Sequence, residues 1–210
     1  MVARRIFQLF WGLTLYGIGL ALMVRADLGL MPWDVFHQGV SDRTGLSFGT
    51  IVIATGIVIL LAWIPMRQKP GIGTLANIFI IGLVIDLVLW LLPPVAGLPV
   101  RWAMMIGGLL MSGIAGGAYI GAGLGPGPRD GMMTGIADRT GWSIRLVRTG
   151  IEVAAFGTGW LLGGTVGLGT ILYAVLIGPM IHRTLPLFTI PPAKKDAVEV
   201  AEIAESCEGI

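Results

Sequence analysis

The sequence predicts an all-α membrane protein of six transmembrane helices, arranged as two inverted-topology three-helix repeats. Three observations lead there: a mean hydropathy of +0.85, an internal repeat, and a one-sided distribution of Lys and Arg. Hydrophobic residues make up 55% of the chain and charged residues 12%, about half the charged share of an ordinary soluble domain. Residues 6–24, 44–66 and 102–128 contain no Asp, Glu, Lys or Arg. About 20 apolar residues suffice to cross a bilayer as a helix.

The repeat organises the rest. Residues 5–91 align with 101–187 at a constant offset of 96, and 24 of the 87 positions are identical. Leu28-Gly29-x-x-Pro32-x-Asp34 returns as Leu124-Gly125-x-x-Pro128-x-Asp130. Asp42-Arg43-Thr44-Gly45-x-Ser47 returns as Asp138-Arg139-Thr140-Gly141-x-Ser143, and Gly71-x-Gly73-Thr74 as Gly167-x-Gly169-Thr170. Hydropathy places six helices near 5–24, 47–66, 72–92, 102–122, 145–163 and 169–187. The chain therefore divides into a first repeat (1–96), a second (97–187) and an acidic cytosolic tail (188–210). Three spans per copy is an odd number, so the second copy enters the membrane from the opposite side. Inverted repeats of this kind are a common plan of transporters.

Charge agrees with the repeat. With the N-terminus in the cytoplasm, the inner segments hold eleven Lys and Arg residues and the outer ones only Arg25, Arg43 and Arg101. This positive-inside bias places both termini in the cytoplasm and the chain in a cytoplasmic membrane. The stretch after Arg4 and Arg5 reads as a retained first helix rather than a signal peptide, because it matches residues in mid-chain.

Each Leu-Gly-x-x-Pro-x-Asp loop can turn tightly at its glycine and begin a helix at its proline, whose missing N–H is not needed there. The aspartate then sits by the positive end of the helix dipole. Residues 32–43 form such a helix, ended by Thr44-Gly45, with Ser47 capping the next span. Twelve residues rise about 18 Å, too short to cross. The segment either lies on the interface or dips in as a re-entrant half-helix aimed at a central site. Pro32, Asp34, Pro128 and Asp130 are accordingly candidate binding residues, while burying Asp34, His37, Asp42 and Arg43 would be expensive. The Gly-x-Gly-Thr pairs allow either an anion-binding turn or a plain turn capped by threonine.

Three further features are candidates. Asp86 lies in an otherwise uncharged run, and an ionisable residue within a span is a functional candidate; its repeat counterpart is His182. In the fifth span Arg145, Arg148 and Glu152 replace Gly49, Val52 and Gly56, making a charged stripe on one helical face. That stripe is either an inward vestibule attracting an anion or an Arg148–Glu152 pair with snorkelling arginines. Glycines of the first and fourth spans, Gly12, Gly17, Gly108 and Gly113, suit a close helix crossing. The seven tryptophans fall mostly near span ends, as interfacial anchors do.

The motifs at 28–34, 42–49 and 71–74 resemble those of the YczE/YyaS/YitT group of bacterial integral membrane proteins, most closely its YczE-like branch, over residues 5–187. The resemblance implies a bacterial cytoplasmic membrane protein and little chemistry.

Function follows as an expectation: transport of a small polar solute or ion by alternating access, with a passive channel or a non-transporting membrane factor as alternatives. The partners are the bilayer and a small solute or ion, with a homo-oligomer left open. A net charge of +2 does not point to nucleic acid. No zinc, P-loop or dinucleotide spacing appears, so neither a cofactor nor an enzyme is expected. Cys207 is the only cysteine, so it should react with membrane-impermeant maleimide in inside-out vesicles and stay unlabelled in intact cells. Labelling of intact cells refutes the orientation.

Overall fold

Eight helices form the protein in a computed structural model that describes residues 2–191, and among these residues there is no strand. They are α1 (Val2–Ala26), α2 (Pro32–Thr44), α3 (Phe48–Met66), α4 (Ile72–Leu91), α5 (Leu98–Gly121), α6 (Pro128–Thr140), α7 (Ile144–Leu161) and α8 (Leu168–Phe188). Each helix of the second set begins 96 residues after its counterpart in the first. The acidic residues of the tail, and Cys207, lie outside the described residues.

Local chemistry explains the boundaries. Pro32 and Pro128 open the short helices, and Gly45 and Gly141 close them at φ 73° and 72°, a left-handed conformation that favours glycine. Ser47 and Ser143 accept the amide N–H groups of Thr50 and Leu146 at the starts of α3 and α7. At 13 residues, α2 and α6 rise about 20 Å and are too short to span a bilayer.

Five helices, α1, α3, α4, α5 and α8, are long and apolar enough to cross a membrane. This differs from the expected six. The exception is α7, whose first nine residues carry Arg145, Arg148 and Glu152. Large apolar side chains cover the outside: Phe7 is 73% and Trp90 80% exposed, with Leu61, Leu83, Ile171 and Leu187 among many others. A continuous apolar exterior of this extent suits lipid rather than water.

The first helices of the two sets cross closely and run antiparallel. Gly12 lies against the backbone of Tyr119, Gly19 against Gly108 and Ser112, and the Gln8 amide donates to the Ala118 carbonyl at 2.8 Å. Without side chains at Gly12, Gly19 and Gly108 the backbones come near enough for dispersion along the whole crossing. Gly17 and Gly113 instead admit α4 (Val84) and α8 (Met180), which are themselves equivalent positions.

The two sets interlock. The short helix α2 packs on α7 of the other set, where Gly39 meets the Gly159 carbonyl, and α6 packs on α3, where Gly135 meets Met66. The glycine turns do the same. Gly73 N–H donates to the Leu124 carbonyl and Gly169 N–H to the Leu28 carbonyl, both at 2.8 Å. Thr74 Oγ1 accepts the Gly71 N–H and donates to the Pro126 carbonyl. In each Gly-x-Gly-Thr turn the second glycine's amide is thus spent on the loop of the other set and the first glycine's on the turn's own threonine, the plain capped turn of the two readings. Repeated arginines follow suit: Arg101 donates to the Ala26 carbonyl at the end of α1, and Arg5 to the Pro191 carbonyl beyond α8.

Not every tryptophan is an interfacial anchor. Trp33 and Trp63 are buried, and Trp63 Nε1 donates to the Pro128 carbonyl at 3.0 Å, fixing the start of α6.

A Cβ at Gly108 would lie 2.5 Å from the Gly19 carbonyl oxygen, whereas one at Gly107 meets nothing within 4 Å. Gly108→Ala should cost about 1–3 kcal/mol through overpacking against backbone, and Gly107→Ala should be near neutral. Thermal unfolding in detergent compares them; equal melting temperatures would refute the tight crossing.

Candidate functional site

The starts of α2 and α6 meet at one cavity of about 510 Å³. Pro32, Trp33 and Asp34 enter it from one side, Pro128, Arg129 and Asp130 from the other. Its remaining walls come from α1, α3, α4, α5, α7 and α8. Each helix start contributes the equivalent of about half a positive charge and amide N–H groups without helical partners. A volume of this size lies within the range of about 300–1,000 Å³ common for small-molecule sites.

Asp34 is only 1% exposed, one turn into α2, and His37 on the next turn is fully buried. Their Oδ1 and Nδ1 atoms are 3.1 Å apart. This i, i+3 pairing offsets the cost of burial that the sequence raised against a deep position for α2. Rings of Trp33, Phe36 and Phe48 surround the imidazole at centroid distances of 6.4, 5.9 and 6.0 Å. The polar end of α2, with Asp42 and Arg43, is outside this packing: Arg43 is exposed and donates to the Leu162 carbonyl. Two buried atoms of cavity-lining residues, Asp34 Oδ2 and Trp33 Nε1, have no hydrogen-bond partner among the described residues, nor does His37 Nε2 behind them. Such groups are uncommon and mark places where a ligand, ion or water completes the structure.

Across the cavity the Arg129 guanidinium lies 4.6 Å from the centroid of the Trp33 ring. Positions 33 and 129 are equivalent in the repeat, so the same site supplies an aromatic face from one copy and a cation from the other. Stacking of this type contributes about 0.5–2 kcal/mol and holds the guanidinium in place. The chain has three tyrosines, and all three, Tyr16, Tyr119 and Tyr173, line this cavity. The Tyr16 and Tyr173 hydroxyls are 3.0 Å apart, and Tyr16 meets Tyr119 edge to face.

Of the residues singled out from sequence, Pro32, Asp34, Pro128, Asp130, Arg148 and Glu152 come together here, joined by His182. Arg148 Nε donates to Glu152 Oε1 at 3.0 Å, so the stripe on α7 is both ion-paired and cavity-lining. Arg145 and Asp86 lie elsewhere. Asp86 accepts the Ser47 hydroxyl at 2.6 Å and the Gly49 N–H at 2.7 Å, and thus ties α4 to the start of α3. The tyrosines, Trp33 and Arg129 were missed as site residues. The scarcity of tyrosine, with two of three deep within apolar runs, was the available signal.

Residues 3–186 match the family of unknown function DUF6198. An uncharacterized protein of Haemophilus influenzae (strain ATCC 51907 / DSM 11121 / KW20 / Rd) is 38% identical over 90% of this chain and 87% of its own length. The uncharacterized membrane protein YczE of Bacillus subtilis (strain 168) is 36% identical over 84% of this chain and 83% of its own. The uncharacterized protein YyaS of the same organism is 26% identical over 84% and 90%. No solved structure matches.

The cap provided by Asp86 is measurable. Asp86→Ala removes the acceptors of the Ser47 hydroxyl and the Gly49 N–H and should lower stability by about 1–2 kcal/mol, while Ser47→Ala should cost less in that background than alone, because the Ser47–Asp86 bond is already gone and only the cap on the Thr50 N–H is left to lose. Unfolding of the single and double variants tests this; fully additive losses would show that Asp86 acts elsewhere.

Proposed function

The chain belongs to the family of unknown function DUF6198 and is a membrane protein, and we propose that it carries a small polar solute across a bacterial cytoplasmic membrane by alternating access. The single observation behind this reading is that two half-helices from repeated halves bring their N-termini to one interior cavity. Helix starts of this kind can bind charged solute groups without lining a permanent pore.

The antiparallel crossing of α1 and α5 supports an inverted repeat, because equivalent spans that run antiparallel enter the membrane from opposite sides. In this reading α7 is the sixth crossing helix. Its charge is compatible with that, since Arg148 and Glu152 line the cavity and pair with each other. The short helices α2 and α6 are re-entrant, entering from the outer and inner faces respectively. Both termini are cytoplasmic, in keeping with the distribution of Lys and Arg. Rocking of one half against the other about the α1/α5 crossing would open the cavity first to one face and then to the other.

A thiol placed in the cavity tests the reading without knowledge of the solute. Ala174, on α8, lines the cavity. In a Cys207→Ser background, Ala174→Cys should react with impermeant maleimide applied to either face of sealed vesicles of known orientation, without ion conductance. Labelling from one face alone would refute alternating access and favour a non-transporting factor. Labelling from both faces with a steady conductance would identify a channel.

A further inference from the structure

The geometry points to a small zwitterion, bearing an ammonium and a carboxylate on an apolar body, as the solute of this cavity. The inference rests on the transport reading and deepens it. Its first support is the Asp34 carboxylate. One oxygen meets the His37 imidazole at 3.1 Å, and the other is buried without a partner. An uncompensated buried carboxylate is costly, and a cation that reaches it recovers that cost.

The second support is Arg129. Its guanidinium is held over the Trp33 ring, and it makes no ion pair among the described residues. It stands at the second residue of α6, where the helix dipole adds to its own positive charge. A carboxylate can be received there by a planar donor already fixed in orientation. Arg148 and Glu152 pair with each other at 3.0 Å, and so leave the balance to Arg129 against Asp34 and Asp130.

Simpler ions fit less well. A lone anion would share the cavity with two carboxylates, Asp34 and Asp130, besides the one paired with Arg148. A bare metal ion would need a cluster of ligands, and among the described residues no group of three His, Cys, Asp or Glu side chains could hold one. A zwitterion satisfies both signs at once. The walls between the charged ends suit the rest of such a molecule: Leu20, Ile59, Ile81 and Ile177 are apolar, and the tyrosine rings offer π faces to an ammonium group.

Three matched probes test this on purified full-length protein: L-leucine, 4-methylpentanoate, which lacks the ammonium, and isopentylamine, which lacks the carboxylate. Leucine should raise the melting temperature saturably. Each half-probe should bind at least about ten-fold more weakly, because it leaves one buried charge unpaired. Asp34→Asn should abolish the advantage of leucine over 4-methylpentanoate, and Arg129→Gln its advantage over isopentylamine; the melting temperature without probe reports whether each variant is folded. If the amine binds as well as leucine, the site takes cations. If the acid does, it takes anions. Absence of saturable binding by all three probes up to about 10 mM also overturns the proposal, that concentration being well above the Kd expected of paired buried charges. Labelling of Ala174→Cys from both faces would survive each of these failures, and so separates the solute class from the transport reading.

Discussion

Two backbone hydrogen bonds set the frame of the molecule: Gly73 N–H to the Leu124 carbonyl, and Gly169 N–H to the Leu28 carbonyl. Each joins the start of a long helix to the loop that launches the short helix of the other set. The loop is thereby held from outside its own repeat, and the proline and aspartate that follow are carried to the cavity. In a medium without water, a backbone amide must find a protein partner. The reciprocal pairing provides one on each side. A side chain at Gly29 would meet Thr170, and one at Gly71 would meet the Leu124 carbonyl, so the close approach is available to glycine. The repeated motifs, far apart along the chain, are thus two sides of a single contact made twice.

The two sets share the order and lengths of their helices but not all of their packing, since α3 lies against α4 whereas α7 does not pack on α8, and they differ further in chemistry. Positions 33 and 129 meet across the cavity, and one is an indole while the other is a guanidinium. Asn77 is matched by Tyr173, and Val52 and Gly56 by Arg148 and Glu152; all of these line the same space. A cavity made of two equal halves could hold only a symmetric arrangement of charge. The divergence of these pairs allows two ends of a molecule to be distinguished, while the two short helices keep them at one cavity.

The helices were legible in the sequence because their determinants are local. Proline at the first turn, glycine past the last and serine at the caps fix boundaries within a few residues, and α2, α3, α6 and α7 start where such signals stand. The glycine crossing was legible in part: Gly12 and Gly108 sit in it, whereas Gly17 and Gly113 face α4 and α8, a choice of partner that spacing alone does not fix. What could not be read was partnership. Nothing in the spacing of Asp86 says that it faces Ser47 and Gly49, rather than a cavity. The depth of Asp34 was also obscured, because its hydrogen-bonded neighbour His37 counts as a further polar residue in any tally of hydropathy. Trp33 and Trp63 were read as anchors from their positions near helix ends, a rule that fails where an end lies inside the protein. Arg129 was counted for its charge, and only the fold shows which ring it covers.

The exchange of short helices between the two sets bears on how such a chain could arise. A half-length protein would leave the buried face of α2, with Val35 and Gly39, uncovered, because that face packs against α7 from the other half. Such an ancestor would have been stable only as two copies clasped head to tail. Gene duplication and fusion would then have preserved every contact while freeing each copy to change its residues independently. The covalent link between α4 and α5 is in that sense the youngest part of the architecture, and the divergence of Trp33 from Arg129 is something an identical pair could not have achieved.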